Sequence, residues 1–352
     1  MTALAALPDR ATVDGLRRAV ARERTLYEVR RDAETADWCA ADATEPFDWG
    51  VPRPLPSAKR FFFPPREAVL RWEGDALAEE PVAVTPFALF GLRACDAAAL
   101  AYQDRFFARD PRYQARRAQA LIVVVDCLAA CEGGFCREMD AGPFAASGFD
   151  LALTPLADGR VAAVAGTDAG RAVLTSAGVP LAADPGALAA ARDGARRAAE
   201  ATFPARPFIA AGIARINGRA GASGVPRSGG APVPQLPEWH ALGPSCLACT
   251  GCTSLCPTCS CYAVVDEGGT DRGERVRYWD SCLLEGFQRE ASGHHPAPHP
   301  GDRVRRFWYH KLSDDFVPEF GRYGCVGCGR CDITCPGSIG ALRVLATLGG
   351  QP

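Results

Sequence analysis

The chain has 352 residues, 48% of them hydrophobic and 23% charged, with a formal net charge of −2. That length can bury a sizeable core and suits two domains. The near balance of charge excludes the basic footprint of a nucleic-acid binder and any long single-sign tail.

In chain order, residues 13–22 predict an amphipathic helix with Leu16 and Val20 on its apolar face. Phe61–Phe63, closed by Pro64 and Pro65, predicts a short buried strand. Val82–Gly91 predicts a second strand, and Ala94–Phe107 shows helical spacing through Ala98, Tyr102 and Phe106. Leu121–Asp126 (LIVVVD) is wholly apolar up to its last residue, as a central strand buried on both faces would be. Leu151–Leu156 and Val161–Val164 flank Asp158-Gly159, a hairpin signal. Arg171–Ala177 and Pro185–Ala201 predict helices, the second on the surface because charges interrupt its alanines. The expected fold is thus an α/β domain over 1–237, ending in a Gly/Pro-rich linker at 218–237. A second domain is expected over 238–352.

Cysteine use sets this chain apart. It has sixteen, too many for an average cytosolic protein and in too long a chain for a small disulfide scaffold. Eleven lie between Cys246 and Cys335. Cys246, Cys249, Cys252 and Cys256 precede Pro257, and Cys325, Cys328, Cys331 and Cys335 precede Pro336. Each run is C-x2-C-x2-C-x3-C-P, the bacterial ferredoxin pattern for a [4Fe–4S] cluster, and two copies predict two clusters. The rule for such pairs is crossed. Cys246, Cys249, Cys252 and Cys335 should hold one cube, and Cys325, Cys328, Cys331 and Cys256 the other. The fourth cysteine of each run is expected to begin a helix, with its proline in the first turn. Gly251, Gly327 and Gly329 should relieve crowding around the inorganic ligand. The second domain is therefore expected to be a ferredoxin-like (α+β) dicluster domain. The block between the runs, with Cys259, Cys261 and Cys282, reads as an insertion with its own packing.

Other groups admit more than one reading. Cys127, Cys131 and Cys136 follow the LIVVVD strand, and Cys95 follows the strand ending at Gly91. On adjacent parallel strands these loops would share the carboxyl edge, where ligands bind. Four thiolates could then converge on a third [4Fe–4S] cluster; buried free cysteines are the plainer alternative. Cys259, Cys261 and Cys282 read as structural thiols or as donors to a cluster, and Cys39 as a core residue. His294, His295 and His299 sit in a Pro-rich stretch that reads as an exposed loop. His310-Lys311 offers either positive charge near a cluster or an ordinary surface pair. There is no G-x-G-x-x-G and no P-loop, so the chain reads as a wire and not as a catalyst by itself. The N-terminus lacks a signal-peptide layout, and no stretch approaches the ~20 apolar residues of a bilayer span. A soluble cytoplasmic protein is expected.

Taken together, several segments resemble a known family. They are Lys59-Arg60-Phe61-Phe62-Phe63-Pro64, Gly91-Leu92-Arg93-Ala94-Cys95-Asp96, and the Cys127–Cys136 loop leading to Gly142-Pro143. CLACTGCTSLCPTCSCYAVVD from Cys246, Arg277-Tyr278-Trp279-Asp280-Ser281-Cys282, Ala291-Ser292-Gly293-His294, His310-Lys311 and GCVGCGRCDITCPGSIG from Gly324 continue the match. The chain resembles the β-type iron–sulfur subunit of soluble NAD(P)-linked [NiFe]-hydrogenases (sulfhydrogenases) and its relative, the corresponding iron–sulfur subunit of anaerobic sulfite reductase. The resemblance implies a component of a multisubunit oxidoreductase, passing electrons between an NAD(P)H–flavin subunit and a [NiFe]-hydrogenase catalytic subunit. A sulfite reductase-type partner is the alternative, as is a self-contained flavin or sulfur-compound reductase. The family's loop is denser, C-x3-C-x2-C-x-C; here Gly134 takes its third cysteine position. That departure leaves Cys95, Cys127, Cys131 and Cys136 as the set for a third site.

Overall fold

The computed structural model describes residues 3–32, 35–51, 53–218 and 236–351. Two sheets organise it. The larger has seven strands: β1 (Ala3–Leu7), β2 (Thr25–Asp32), β3 (Thr35–Ala41), β6 (Phe87–Leu92), β7 (Ala120–Val125), β8 (Leu151–Pro155) and β9 (Val161–Ala165). Their spatial order is β1-β9-β8-β7-β6-β2-β3. The run β2, β6, β7, β8 is parallel, and β3, β9 and β1 join by antiparallel pairing.

The LIVVVD strand is β7, the fourth of the seven, as its apolar run requires. Leu121, Val123 and Val125 enter the core on one face, and Ile122 and Val124 the core on the other. The Asp158-Gly159 hairpin joins β8 to β9. Helices Thr12–Ala21, Ala94–Phe106, Asp168–Ser176 and Pro185–Glu200 form close to their expected bounds. The strand expected from Val82 begins only at Phe87, directly after Pro86, which has no N–H for a ladder.

Phe61–Phe63 is not a strand. Residues Ala58–Phe61 form a 3-10 turn, and the N–H groups of Phe62 and Phe63 both donate to the Lys59 carbonyl. The apolar triplet is buried as expected, but its backbone bonds are spent locally. Cys39, expected in the core, is exposed on the edge strand β3. Its neighbour Trp38 takes the buried position, because successive strand residues face opposite ways.

The smaller sheet runs β10-β11-β4-β5, antiparallel throughout. Strands β4 (Arg66–Glu73) and β5 (Ala76–Glu79) come from the N-terminal part, and β10 (Tyr262–Gly268) and β11 (Arg272–Trp279) from between the cysteine runs. The intervening block therefore does not pack by itself, and this sheet crosses the division expected at 237/238. The linker expected at 218–237 lies outside the described residues from 219 to 235.

A buried charge network locks the sheet. On β4, the Glu67 carboxylate accepts from Arg112 at 2.7 Å, from Arg277 of β11 at 2.6 Å, and from Arg116. Burial alone would raise this carboxyl, but the hydrogen bonds from Arg112 and Arg116 and the nearby positive charges hold it below the ordinary value. Its stabilising contribution is therefore present above the unfolded carboxyl value and fades as pH falls through the depressed folded value. Glu67→Ala would leave Arg112 and Arg116 without a carboxylate and Arg277 with Asp110 alone, and is expected to cost about 3–5 kcal/mol, read from the chemical-denaturation midpoint of the loaded chain.

Candidate iron–sulfur sites

The two cysteine runs fold alike. In the first, Ala248 and Thr250 are left-handed (φ 49° and 63°). At the matching positions of the second, Gly327 and Gly329 are left-handed too (φ 62° and 71°). The same two turns are thus made with side chains in one run and glycines in the other. Packing explains the difference. A Cβ on Gly327 would meet the Phe135 carbonyl at 2.5 Å, and one on Gly329 the Gly133 carbonyl at 2.3 Å. The loop carrying Cys131 and Cys136 lies directly on the second run, and Phe135 N–H donates to Gly327 C=O at 2.7 Å. Nothing equivalent excludes Ala248 or Thr250, which accept the strain of a left-handed L-residue.

A short helix follows in each run, Gly251–Leu255 and Arg330–Thr334. The fourth cysteine ends that helix instead of beginning one: Cys256 and Cys335 are its extended C-terminal caps. Pro257 and Pro336 act backwards along the chain, since the residue before a proline is driven out of the helical region. The cap turns each fourth thiol away from its own run.

Three cavities collect the thiols. One is lined by Cys246, Cys249 and Cys252 of the first run and by Cys335 of the second. Another is lined by Cys325, Cys328 and Cys331 of the second run and by Cys256 of the first, with Cys252 at its edge. The third, about 280 Å³, is lined by Cys95, Cys127, Cys131 and Cys136, with Cys328 at its edge. Successive cavities thus share one cysteine, first Cys252 and then Cys328.

The third cavity forms where the sheet predicts. Adjacent parallel strands β6 and β7 end at Leu92 and Val125, and Cys95 and Cys127 follow them. A register shift beside Gly91 (φ 92°) turns the end of β6 toward this edge. Arg53 reaches in, its guanidinium 3.2 Å from Cys131 Sγ. A Cβ at Gly134 would sit 2.6 Å from Cys131 Sγ, so a larger residue there requires that thiol to turn.

The donors that line the three cavities are cysteine thiols, the ligands that iron–sulfur clusters take. No group of three or more His, Cys, Asp or Glu among the described residues is arranged for one metal ion. Backbone N–H groups of Gly327 and Ile339 point at Cys325 and Cys335 Sγ, each at 3.4 Å, as donors to a thiolate would. Burial pushes the Cys252 thiol up to about 12 and Cys127 up to about 11. Without iron, those thiols stay protonated at neutral pH, so metal binding would have to displace protons.

Cys259, Cys261 and Cys282 pack in the same core as the motif cysteines but do not line these three cavities. Cys261 and Cys282 hydrogen-bond, which holds the Cys261 thiol down to about 6 and raises that of Cys282. Cys259 is buried next to Cys256. His294 and His299 are exposed, and His295 Nε2 lies 2.6 Å from the Glu285 carbonyl in the same loop region. Of the two readings of His310-Lys311, the surface pair fails for Lys311, which is buried on the face of helix Pro300–Leu312 that carries Val304, Phe307 and Trp308. That i, i+3, i+4, i+7 stripe is visible in the sequence and places Lys311 inside. Burial, with the Lys311 charge, pushes His310 down to about 4, leaving a neutral ring.

A paired set of ferredoxin-type runs folded around shared cavities defines an iron–sulfur protein, and residues 245–339 match the family described as a 4Fe-4S dicluster domain. Over 291 residues the chain is 31% identical to sulfhydrogenase 2 subunit beta of Pyrococcus furiosus, covering 82% of this chain and 81% of that one. The chain belongs to the sulfhydrogenase β-subunit family and is an iron–sulfur electron-transfer subunit. No solved structure matches it. Among the described residues, no helix is long and apolar enough to cross a membrane.

Proposed function

We propose that the chain is a fixed cytoplasmic relay of up to three [4Fe–4S] clusters. It would carry single electrons between an NAD(P)H-oxidising flavin subunit and a [NiFe]-hydrogenase catalytic subunit. Cys246, Cys249, Cys252 and Cys335 are the ligands of one cluster, and Cys325, Cys328, Cys331 and Cys256 of a second. Cys95, Cys127, Cys131 and Cys136 are the ligands of a third. The observation that carries this reading is the crossed lining: each run sends its fourth thiol into the other's cavity, as the two-cluster rule requires.

When bound, a cluster supplies reversible one-electron storage at a potential set by its surroundings. The chain's own residues supply order and access. Cys249 and Cys131, in the outer two cavities, are exposed, whereas Cys328, shared by the middle and third cavities, is buried. Leu247 and Leu128 stand exposed beside those outer thiols, apolar contacts suited to a partner at each end. A wire needs such ends, and a free carrier needs only one.

The test is reduction of the iron-loaded chain by NADPH under anaerobic conditions. The relay predicts no bleaching of the cluster absorbance until a flavin subunit is added; bleaching by the chain alone favours the self-contained reductase. Iron content near twelve supports three clusters, and near eight supports two.

A further inference from the structure

Of the 39 cationic Lys and Arg side chains, all but two are arginine. The two lysines, Lys59 and Lys311, are separated by most of the chain, and both are buried, each 3% exposed. They meet at one place. Lys59 Nζ donates to the carbonyls of Thr253 (2.9 Å) and Cys259 (3.2 Å) and lies 4.1 Å from the Trp279 ring centre. Lys311 Nζ donates to Thr258 Oγ1 at 2.9 Å, and that hydroxyl is 3.2 Å from Cys256 Sγ.

Among the described residues, neither ammonium pairs with a carboxylate. The contrast with the buried guanidiniums is sharp: Arg17, Arg277 and Arg330 all have carboxylate partners. A buried charge without a counter-charge is strongly disfavoured. The negative charge available here is that of the cysteine thiolates and of what they hold. Lysine suits the place because it is a compact point charge with rotatable donors, where the planar arginine fork demands more room.

The charge is also one-sided. Lys311 lines the cavity of Cys256, Cys325, Cys328 and Cys331. Arg330 lines it too, but is neutralised by Asp96 at 2.8 Å. The cavity of Cys246, Cys249, Cys252 and Cys335 has no charged residue in its lining. A nearby positive charge favours the more negative, reduced state of a cluster and so raises its potential. Thr258 Oγ1 accepts from Lys311 and donates to the Gly324 carbonyl at 2.5 Å, which fixes the ammonium close to the Cys256 sulfur.

We propose that Lys311, backed by Lys59, makes the paired clusters unequal. Of that pair, the cluster of Cys256, Cys325, Cys328 and Cys331 is held at the higher potential, so an electron shared by the two rests on it. This rests on the cluster assignment above. The test is an EPR-monitored redox titration of the full, iron-loaded chain. In Lys311→Met, the signal that Cys256→Ala removes should shift toward the oxidised form at least tenfold at fixed potential, or about 59 mV for one electron. The signal that Cys335→Ala removes should move less than threefold. Lys59→Met should move the same signal in the same direction by a smaller factor. Potentials that stay put, or that fall equally in both clusters, overturn the proposal. Iron content separates the failures: a parent chain holding fewer than about eight irons sinks the cluster assignment itself. Should Lys311→Met lose iron, Lys59→Met decides, and an unmoved signal there overturns the proposal.

Discussion

Replacing Cys335 by alanine is expected to remove the cluster of the first run while leaving that of the second. By sequence, Cys335 belongs with Cys325, Cys328 and Cys331, so a local-ligand account predicts the reverse loss. The geometry favours the crossed outcome, because Cys335 caps its helix and lines the cavity of Cys246, Cys249 and Cys252. Iron should fall by about four per chain. The complementary Cys256→Ala should spare the first cluster and remove the second. EPR-monitored redox titration of the variants separates the two losses, since only the second cavity is lined by Lys311, whose charge shifts the potential of that cluster.

The second large effect concerns Arg330 and Asp96. Arg330 is fully buried beside Cys331, and Asp96 follows Cys95. They form a two-pronged ion pair at 2.8 and 3.1 Å, and Arg330 Nε also donates to the carbonyls of Pro54 and Leu55 at 3.0 Å. The pair ties the second run to the helix that begins at the third cavity. Asp96→Ala leaves a buried guanidinium without its counter-charge and is expected to cost about 3–5 kcal/mol, a factor of over a hundred in the folding equilibrium. Pairing it with Arg330→Met removes both charges and should recover much of that loss. A double-mutant cycle by chemical denaturation measures the coupling, and an additive result would show that the pair does not act as a unit.

Local pattern carries much of this protein. The eight motif cysteines, the apolar β7 and the Asp158-Gly159 hairpin are all written in short stretches of sequence. So is the meeting of Cys95 with Cys127, because adjacent parallel strands fix where their following loops lie. The departures share a different cause. Phe61–Phe63 is apolar enough for a strand, but the Lys59 carbonyl captures its N–H groups. Pro257 and Pro336 mark a helix boundary in the sequence, but they close the preceding helix and do not open the next. The block between the runs is visibly long, yet nothing local shows that β11 pairs with β4, a register set by residues two hundred positions apart. The burial of Lys311 is legible in its helix stripe, but its meeting with Lys59 is not, since their common neighbourhood exists only once three distant segments have packed together.

The central claim is that this chain holds its clusters as an ordered relay. It is tested most directly by the EPR spectrum of the fully reduced, iron-loaded chain. Crossed ligation across cavities that share Cys252 predicts a broadened, magnetically interacting spectrum from neighbouring clusters, from which Cys335→Ala removes the first cluster and its coupling to the second. A parent spectrum that is already that of one isolated cluster, with about four irons per chain, would contradict it.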